Sequence, residues 1–163
     1  MKQGSKITEK IFTKDQMIAQ LKRWKLLSKT ISFTNGVFDI LHEGHIKLLT
    51  QAASYADILI VGINSDASVK RLKGDARPVN NEFSRAIIMA SLVMTDAVII
   101  FEEDTPLELI KTIMPGVLVK GGDYTVANIV GAKEIIANNG KVEIIPLQTG
   151  FSTTGIIEKM KNL

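Results

Sequence analysis

Two histidines are all this chain of 163 residues contains, and they stand three residues apart, His42 and His45, in the stretch TNGVFDILHEGH from Thr34 to His45. The stretch begins as the tail of an apolar run (Ile31, Phe33), passes through Asn35-Gly36 and enters an amphipathic segment with Ile46, Leu49 and Ala53 at helical spacing. That pattern is a strand, a tight glycine turn and a helix N-terminus, where free backbone N–H groups and the helix dipole attract anions. Imidazoles there add hydrogen bonds to a phosphate oxygen whose charge grows in a transition state. The expected chemistry is phosphate binding. The plain alternative is that both rings cap the helix or sit at its surface, but Gly44 between them lets a ligand come close to the backbone. A zinc site is disfavoured: HEGH lacks the HExxH spacing, there is no cysteine, and no metal ligand is expected.

Three other polar segments could serve the same anion. Lys70, Arg71, Lys73, Arg77 and Arg85 read either as a solvated basic face or as cations on a loop over a triphosphate. Arg85 is expected to face away from the apolar stripe of Phe83, Ile87 and Ala90 and so to be free to reach ligand. Lys120-Gly121-Gly122-Asp123 is a turn, or a place where a base or ribose lies against glycine backbone with Asp123 accepting a hydrogen bond. Ser152, Thr153 and Thr154 form an N-cap or a second anion-binding helix start.

The elements that must position these residues follow from periodicity. Residues 13 to 27 read as a helix capped at Thr13, with Met17, Leu21 and Trp24 on one face. Apolar runs at residues 30–33, 57–63, 97–101, 117–119 and 142–145 read as strands, and the unbroken run at 57–63 fits a strand covered on both faces. Helical patterns follow the histidines, run through Phe83 to Met94, start at Thr105-Pro106, cover residues 128–138 and close the chain from Ile156. The basic segment after the second strand reads as a loop. Alternating strands and helices predict an α/β fold, a single Rossmann-like, doubly wound, five-stranded parallel sheet with helices on both faces. One domain over residues 1–163 is expected, with residues 1–29 a helical segment packed on it. In such sheets ligand binds beyond the C-terminal strand ends where strand order reverses. If the first and fourth strands are neighbours, TNGVFD and KGGD face that crevice together.

Composition bounds the rest. At 45% hydrophobic and 23% charged the chain is globular, and no apolar run approaches the roughly 20 residues of a membrane span. The N-terminus lacks the apolar core of a signal peptide, so a cytoplasmic protein is expected. The net charge of +3 is mild, suited to phosphorylated small molecules and no argument for nucleic acid.

Taken together, TNGVFDILHEGH, INSD, KRLKGDARPV, the Arg85 helix, FEEDTP, VKGGDY and STTGII resemble the cytidylyltransferase-like nucleotidyltransferases, in family order from about Ile7 onward. Within that family the resemblance is to the branch that adenylylates heptose 1-phosphates, with cytidylyl transfer to glycerol 3-phosphate or phosphoethanolamine as the alternative and a non-catalytic nucleotide-binding module as a remote one. It implies in-line attack of a sugar phosphate oxygen on the α-phosphorus of ATP, with Mg²⁺ bound to the nucleotide and pyrophosphate leaving. His42 and His45 would hold the phosphates, Lys73 would cover the α-phosphate, and Arg85 would bind the β and γ phosphates. Ser152, Thr153 and Thr154 would grip the triphosphate, while Thr34, Asn35, Gly36, Val37, Phe38 and Lys120 to Asp123 would line the nucleotide. Asp39, Asn64 and Asp66 would face the acceptor. Relatives are commonly homodimeric, and the sugar kinase module that often precedes this one is not in the sequence, so a free-standing transferase is expected. Departures from the pattern are Val37 in place of a cysteine, Ile157 in place of a basic residue, and Leu147-Gln148 in place of an Arg-Thr pair. HIKLL after His45 is similar to the glycerol-3-phosphate enzymes.

Overall fold

The computed structural model describes residues 5–146 and 153–161; Ser152, Leu147 and Gln148 lie outside them. Strands β1 (Ile11–Phe12), β2 (Ile31–Gly36), β3 (Ile58–Asn64), β4 (Ala97–Phe101), β5 (Val117–Gly121) and β6 (Lys141–Ile145) form one sheet in the order β1-β4-β3-β2-β5-β6. Every pairing is parallel. The sheet therefore has six strands where the apolar runs predicted five. The extra one, β1, is a two-residue edge strand in register with Val98 and Ile99, too short to carry any periodicity.

The helices are α1 (Ser5–Thr8), α2 (Lys14–Leu26), α3 (Glu43–Ser54), α4 (Asp66–Lys73), α5 (Glu82–Ser91), α6 (Leu107–Ile113), α7 (Ala132–Ala137) and α8 (Thr153–Lys161). α2 begins with a complete capping box: Gln16 N donates to Thr13 Oγ1, and Thr13 N donates to Gln16 Oε1. The expected loop after β3 is a helix instead, α4, started by the Ser65 hydroxyl accepting from Ser68 N. The expected helix over 128–138 divides into a 3₁₀ turn (Val126–Asn128) and α7.

Both faces of the sheet are covered, which is why its strands read as continuous apolar runs. Met17, Phe33, Ile60, Ile110, Leu118 and Ile135 share one buried layer. Leu49, Leu59, Val61, Ile63, Ala86, Met89, Val98 and Val119 share the other, so neighbouring residues of β3 point into opposite cores. The α5 stripe differs from expectation: Phe83 is 57% exposed, and the buried face is Arg85, Ala86, Met89 and Ala90. Burying Ala86, Met89 and Ala90 rotates the helix so that Arg85, one position earlier, turns inward with them.

Strand order reverses at β2, whose register runs Thr34 to Val61 on one side and Thr34 to Val119 on the other. The crevice beyond β2 and β5 is the point to which TNGVFD and KGGD both lead, as expected from the first and fourth predicted strands being neighbours.

Candidate active site

At the end of β2 the chain must leave the sheet and start α3 within six residues. Phe38 turns it with a left-handed φ of 48°, uncommon for a residue with a side chain. Its ring folds back under Gly36, where a Cβ would come within 3.2 Å of Phe38 Cε2, so a side chain there would press on the ring. The other side of the ring meets His45 edge-on, with centroids 5.3 Å apart.

His42 occupies the N-cap position of α3, yet its side chain makes no capping hydrogen bond. It stacks on His45 instead, ring centroids 3.8 Å apart and planes 25° from parallel. Two charged imidazoliums would repel at that distance. Burial lowers the pKa of His42, and burial together with the charges of His42 and Lys73 brings His45 down to about 4, so the pair is neutral near pH 7. His45 Nδ1 is buried with no hydrogen-bond partner among the described residues. The start of α3 thus presents the positive end of a helix dipole and two uncharged rings, which favour an anion and cost no charge separation before the anion arrives.

Two further elements reach the same turn. Thr153, the first residue of α8, donates from Oγ1 to Ile40 O at 3.3 Å. Lys120, at the end of β5, donates from Nζ to Asn35 Oδ1 at 3.3 Å and lies 5.8 Å from the Tyr124 ring centroid. Burial lowers its pKa. A cavity of about 130 Å³ beside it is lined by Asn35, Pro106, Leu118, Lys120, Tyr124 and Asn128, among others. Gly121 and Gly122 do not leave bare backbone for a base. A Cβ would meet Leu48 Cδ2 at 3.1 Å and Tyr124 Cε2 at 2.8 Å, so protein side chains fill that space, and Asp123 is exposed beyond it. Thr34 is fully buried on β2, and its Oγ1 has no hydrogen-bond partner among the described residues.

Arg85 requires a correction. It is not free to reach out: its side chain is 0% exposed and its guanidinium is committed. Nε donates to Asn80 O at 3.0 Å, Nη1 to Val37 O at 2.7 Å, and Nη2 to both Asn64 O at 2.8 Å and Asp66 Oδ1 at 2.7 Å. Four acceptors from three segments are what make a buried guanidinium tolerable. Asn64 and Asp66 are drawn into the same cluster, Asn64 Nδ2 donating to Ser68 Oγ and Asp66 N donating to Glu82 Oε2.

Asp39, 2% exposed, holds the segment before α5. Arg77 Nε donates to its Oδ2 at 2.8 Å, and the N–H groups of Val79 and Asn80 donate to the same carboxylate. Burial works against its charge, but these donors outweigh burial and hold its pKa below the usual value. Of the basic segment, Arg71 turns away to Asp104 Oδ1 at 2.7 Å and to Glu102 O. Lys73 ends α4, its pKa lowered by burial and by Arg77 against the opposing charge of Asp39, and its own charge bears on His45. Lys70 is exposed. Tyr124 and Asn80 were not singled out from the sequence; the Asn80-Asn81 pair preceding a helix was the available signal. No group of three or more His, Cys, Asp or Glu among the described residues is placed to hold a metal ion.

The site agrees with what the chain is similar to. The family model described as Cytidylyltransferase-like matches residues 33–159. The bifunctional protein HldE of Hyphomonas neptunium is 54% identical over 145 residues, which are 89% of this chain and 30% of that protein. HldE of Koribacter versatilis is 50% identical over 150 residues, 92% of this chain and 31% of that one. The chain therefore spans about 30% of the length of these relatives. Among solved structures, a lipopolysaccharide core biosynthesis protein of Thermoplasma volcanium superposes with a TM-score of 0.58 at 27% identity, covering 74% of this chain and 97% of its own. Pantoate-beta-alanine ligase of Francisella tularensis, at 18% identity and TM-score 0.64 over 94% of this chain and 72% of its own, shares the fold. With a family model matched across the crevice-forming strands and the paired histidines, the chain belongs to the cytidylyltransferase-like family of nucleotidyltransferases.

Proposed function

We propose that this chain transfers an adenylyl group from Mg·ATP to a sugar 1-phosphate of the heptose class. An acceptor phosphate oxygen forms a bond to the α-phosphorus, the bond from that phosphorus to the β-bridging oxygen breaks, and pyrophosphate leaves. The observation that carries the reading is the stacked, neutral His42–His45 pair at the start of α3, with Thr153 bonded to the β2–α3 turn and Lys120 to Asn35 at the end of β2. The motif order supports the heptose branch, and the lipopolysaccharide core biosynthesis relative supports a sugar acceptor.

In this mechanism the imidazoles and the α3 N–H groups stabilise charge building on the α-phosphate. Lys73 adds a cation from the end of α4, and Thr153 and Thr154 bring a second helix start. Asn35 to Phe38, Lys120 and Asp123 line the nucleotide. Arg85, with Asn64 and Asp66, holds this turn in place from behind rather than meeting phosphate directly. No general base is needed, because a phosphate monoester with a second pKa of about 6 is already a dianion near neutral pH. Catalysis is positioning plus electrostatic stabilisation. Mg²⁺ would enter with the nucleotide as part of the substrate and would offset phosphate charge as pyrophosphate leaves.

The test crosses ATP and CTP with heptose 1-phosphate, glycerol 3-phosphate and phosphoethanolamine and follows pyrophosphate. Release only with ATP and the heptose phosphate is the expected result. Release with CTP and glycerol 3-phosphate or phosphoethanolamine assigns cytidylyl transfer instead, and nucleotide binding without product under every pairing would leave a non-catalytic module.

A further inference from the structure

We infer that Asp39 is a positioning residue: it straps the segment Arg77 to Asn80 onto the histidine-bearing turn and thereby sets where Lys73, at the end of α4, stands over that turn. Its carboxylate has no capacity left for an acceptor sugar. Oδ1 accepts from Val79 N at 3.0 Å and Asn80 N at 2.8 Å, and Oδ2 accepts from Arg77 Nε at 2.8 Å and Val79 N at 2.9 Å. These three donors, with the Val79 N–H shared between the two oxygens, surround the carboxylate, and the residue is 2% exposed. The strap is doubled: Asn80 Nδ2 donates to Asp39 O at 2.7 Å, and Arg85 bridges Asn80 O to Val37 O.

The tether from strap to cation is short. Gly74 N donates to Lys70 O, closing α4, and Arg77 N donates to Gly74 O at 3.0 Å. Lys73 is therefore separated from the anchored Arg77 by one turn of ordered backbone, and Asp39 precedes His42 by three residues. A cation on a four-carbon stem has about 2 kcal/mol of rotamer entropy of its own, so fixing its backbone is what a protein can contribute to its placement. The low pKa of His45, caused in part by the charge of Lys73, agrees with this proximity.

The inference rests on the reading that Lys73 faces the reacting phosphates, so its test has one arm independent of that reading. In the ligand-free full chain, the imidazole ¹⁵N shifts of His45 are titrated in the wild type, Asp39→Asn, Lys73→Ala and the double variant. Loss of the carboxylate's charge alone would lower the pKa of His45. Displacement of Lys73 raises it, and a rise of about half a unit or more in Asp39→Asn that vanishes in the Lys73→Ala background is the expected result. No rise, or the same rise without Lys73, overturns the strap. In the second arm, Asp39→Asn lowers kcat about 10- to 100-fold with KM for ATP changed less than about threefold, and adds less than about twofold to Lys73→Ala. Fully additive losses overturn it as well. Should Asp39→Asn fail to fold by circular dichroism, Arg77→Lys, which keeps the charge but loses the Nε bond to Asp39 Oδ2, is read by the same criteria. A chain that releases no pyrophosphate with any substrate pair refutes the adenylyltransferase reading, and the titration arm still decides the strap.

Discussion

His45 is asked to do one thing, to present a hydrogen-bond donor from a half-buried, neutral ring to charge that exists only while the phosphorus reacts. The ring is held on two sides, by His42 at 3.8 Å and by Phe38 at 5.3 Å between centroids, so it needs no reorganisation when that charge develops. Removing such a donor typically costs about 10²–10³ in turnover. His45→Ala is expected to lose that much kcat while KM for ATP changes far less, because the interaction belongs to the transition state; steady-state kinetics on variant and wild type check it. Near-wild-type turnover would take the histidine out of the mechanism. At the same scale, Arg85 shows what burial does to an expectation. A guanidinium looks like a solvent-facing group until the local carbonyl of Asn80 is joined by those of Val37 and Asn64 and by Asp66, 19 to 48 residues away in the chain.

Among the elements, α2 and α3 differ in how they begin. α2 closes its first turn on itself through the Thr13–Gln16 box, whereas α3 starts at His42 with no side-chain cap hydrogen bond, its ring being stacked on His45 instead. Thr13→Ala is accordingly expected to cost about 1 kcal/mol of stability, seen as a lower denaturation midpoint, and to leave kcat unchanged, since Thr13 touches nothing in the crevice. A change in kcat would mean that α2 is coupled to the site. The elements that escaped the pattern did so for local reasons. β1 is two residues long, and α4, DASVKRLK, buries only Ser68 and Val69, so neither offers the apolar repeat by which an element announces itself.

For the molecule as a whole, acid is the direction of weakness. The folded pKa of His45, about 4, lies below the ordinary imidazole value of 6.5, so between those values the unfolded chain binds more protons than the folded one. Stability therefore rises with pH across that window and falls on acidification, by at most about 1.4 kcal/mol per pH unit from this ring. Asp39 and Asp57 act in the same direction further down: their carboxyls are held low, Asp57 at about 2 by the N–H and hydroxyl of Thr30 and by Lys29, so the stability they contribute is lost as pH falls through their folded values. Denaturant midpoints measured from pH 7 to pH 4 are expected to decline in the wild type and to decline less in His45→Asn, which has no imidazole to protonate. An equal decline in both would show that His45 is not the group responsible.

Most of the architecture was legible because parallel strands buried on both faces write themselves as unbroken apolar runs. The turn between β2 and α3 was legible because glycine, paired imidazoles and a following amphipathic segment are a local arrangement of adjacent residues. By itself the sequence determined a doubly wound sheet, the crevice at β2 and β5, and the histidines at its mouth. Tertiary structure alone decided which charges face that crevice. It turned Arg85 inward, sent Arg71 to Asp104, spent Asp39 on Arg77 and the N–H groups of Val79 and Asn80, and filled the room beside Gly121 and Gly122 with Leu48 and Tyr124. The physical reason is the range of the interactions: apolar periodicity is a property of neighbours in sequence, whereas the pairing of a buried charge depends on donors and acceptors that only folding brings together.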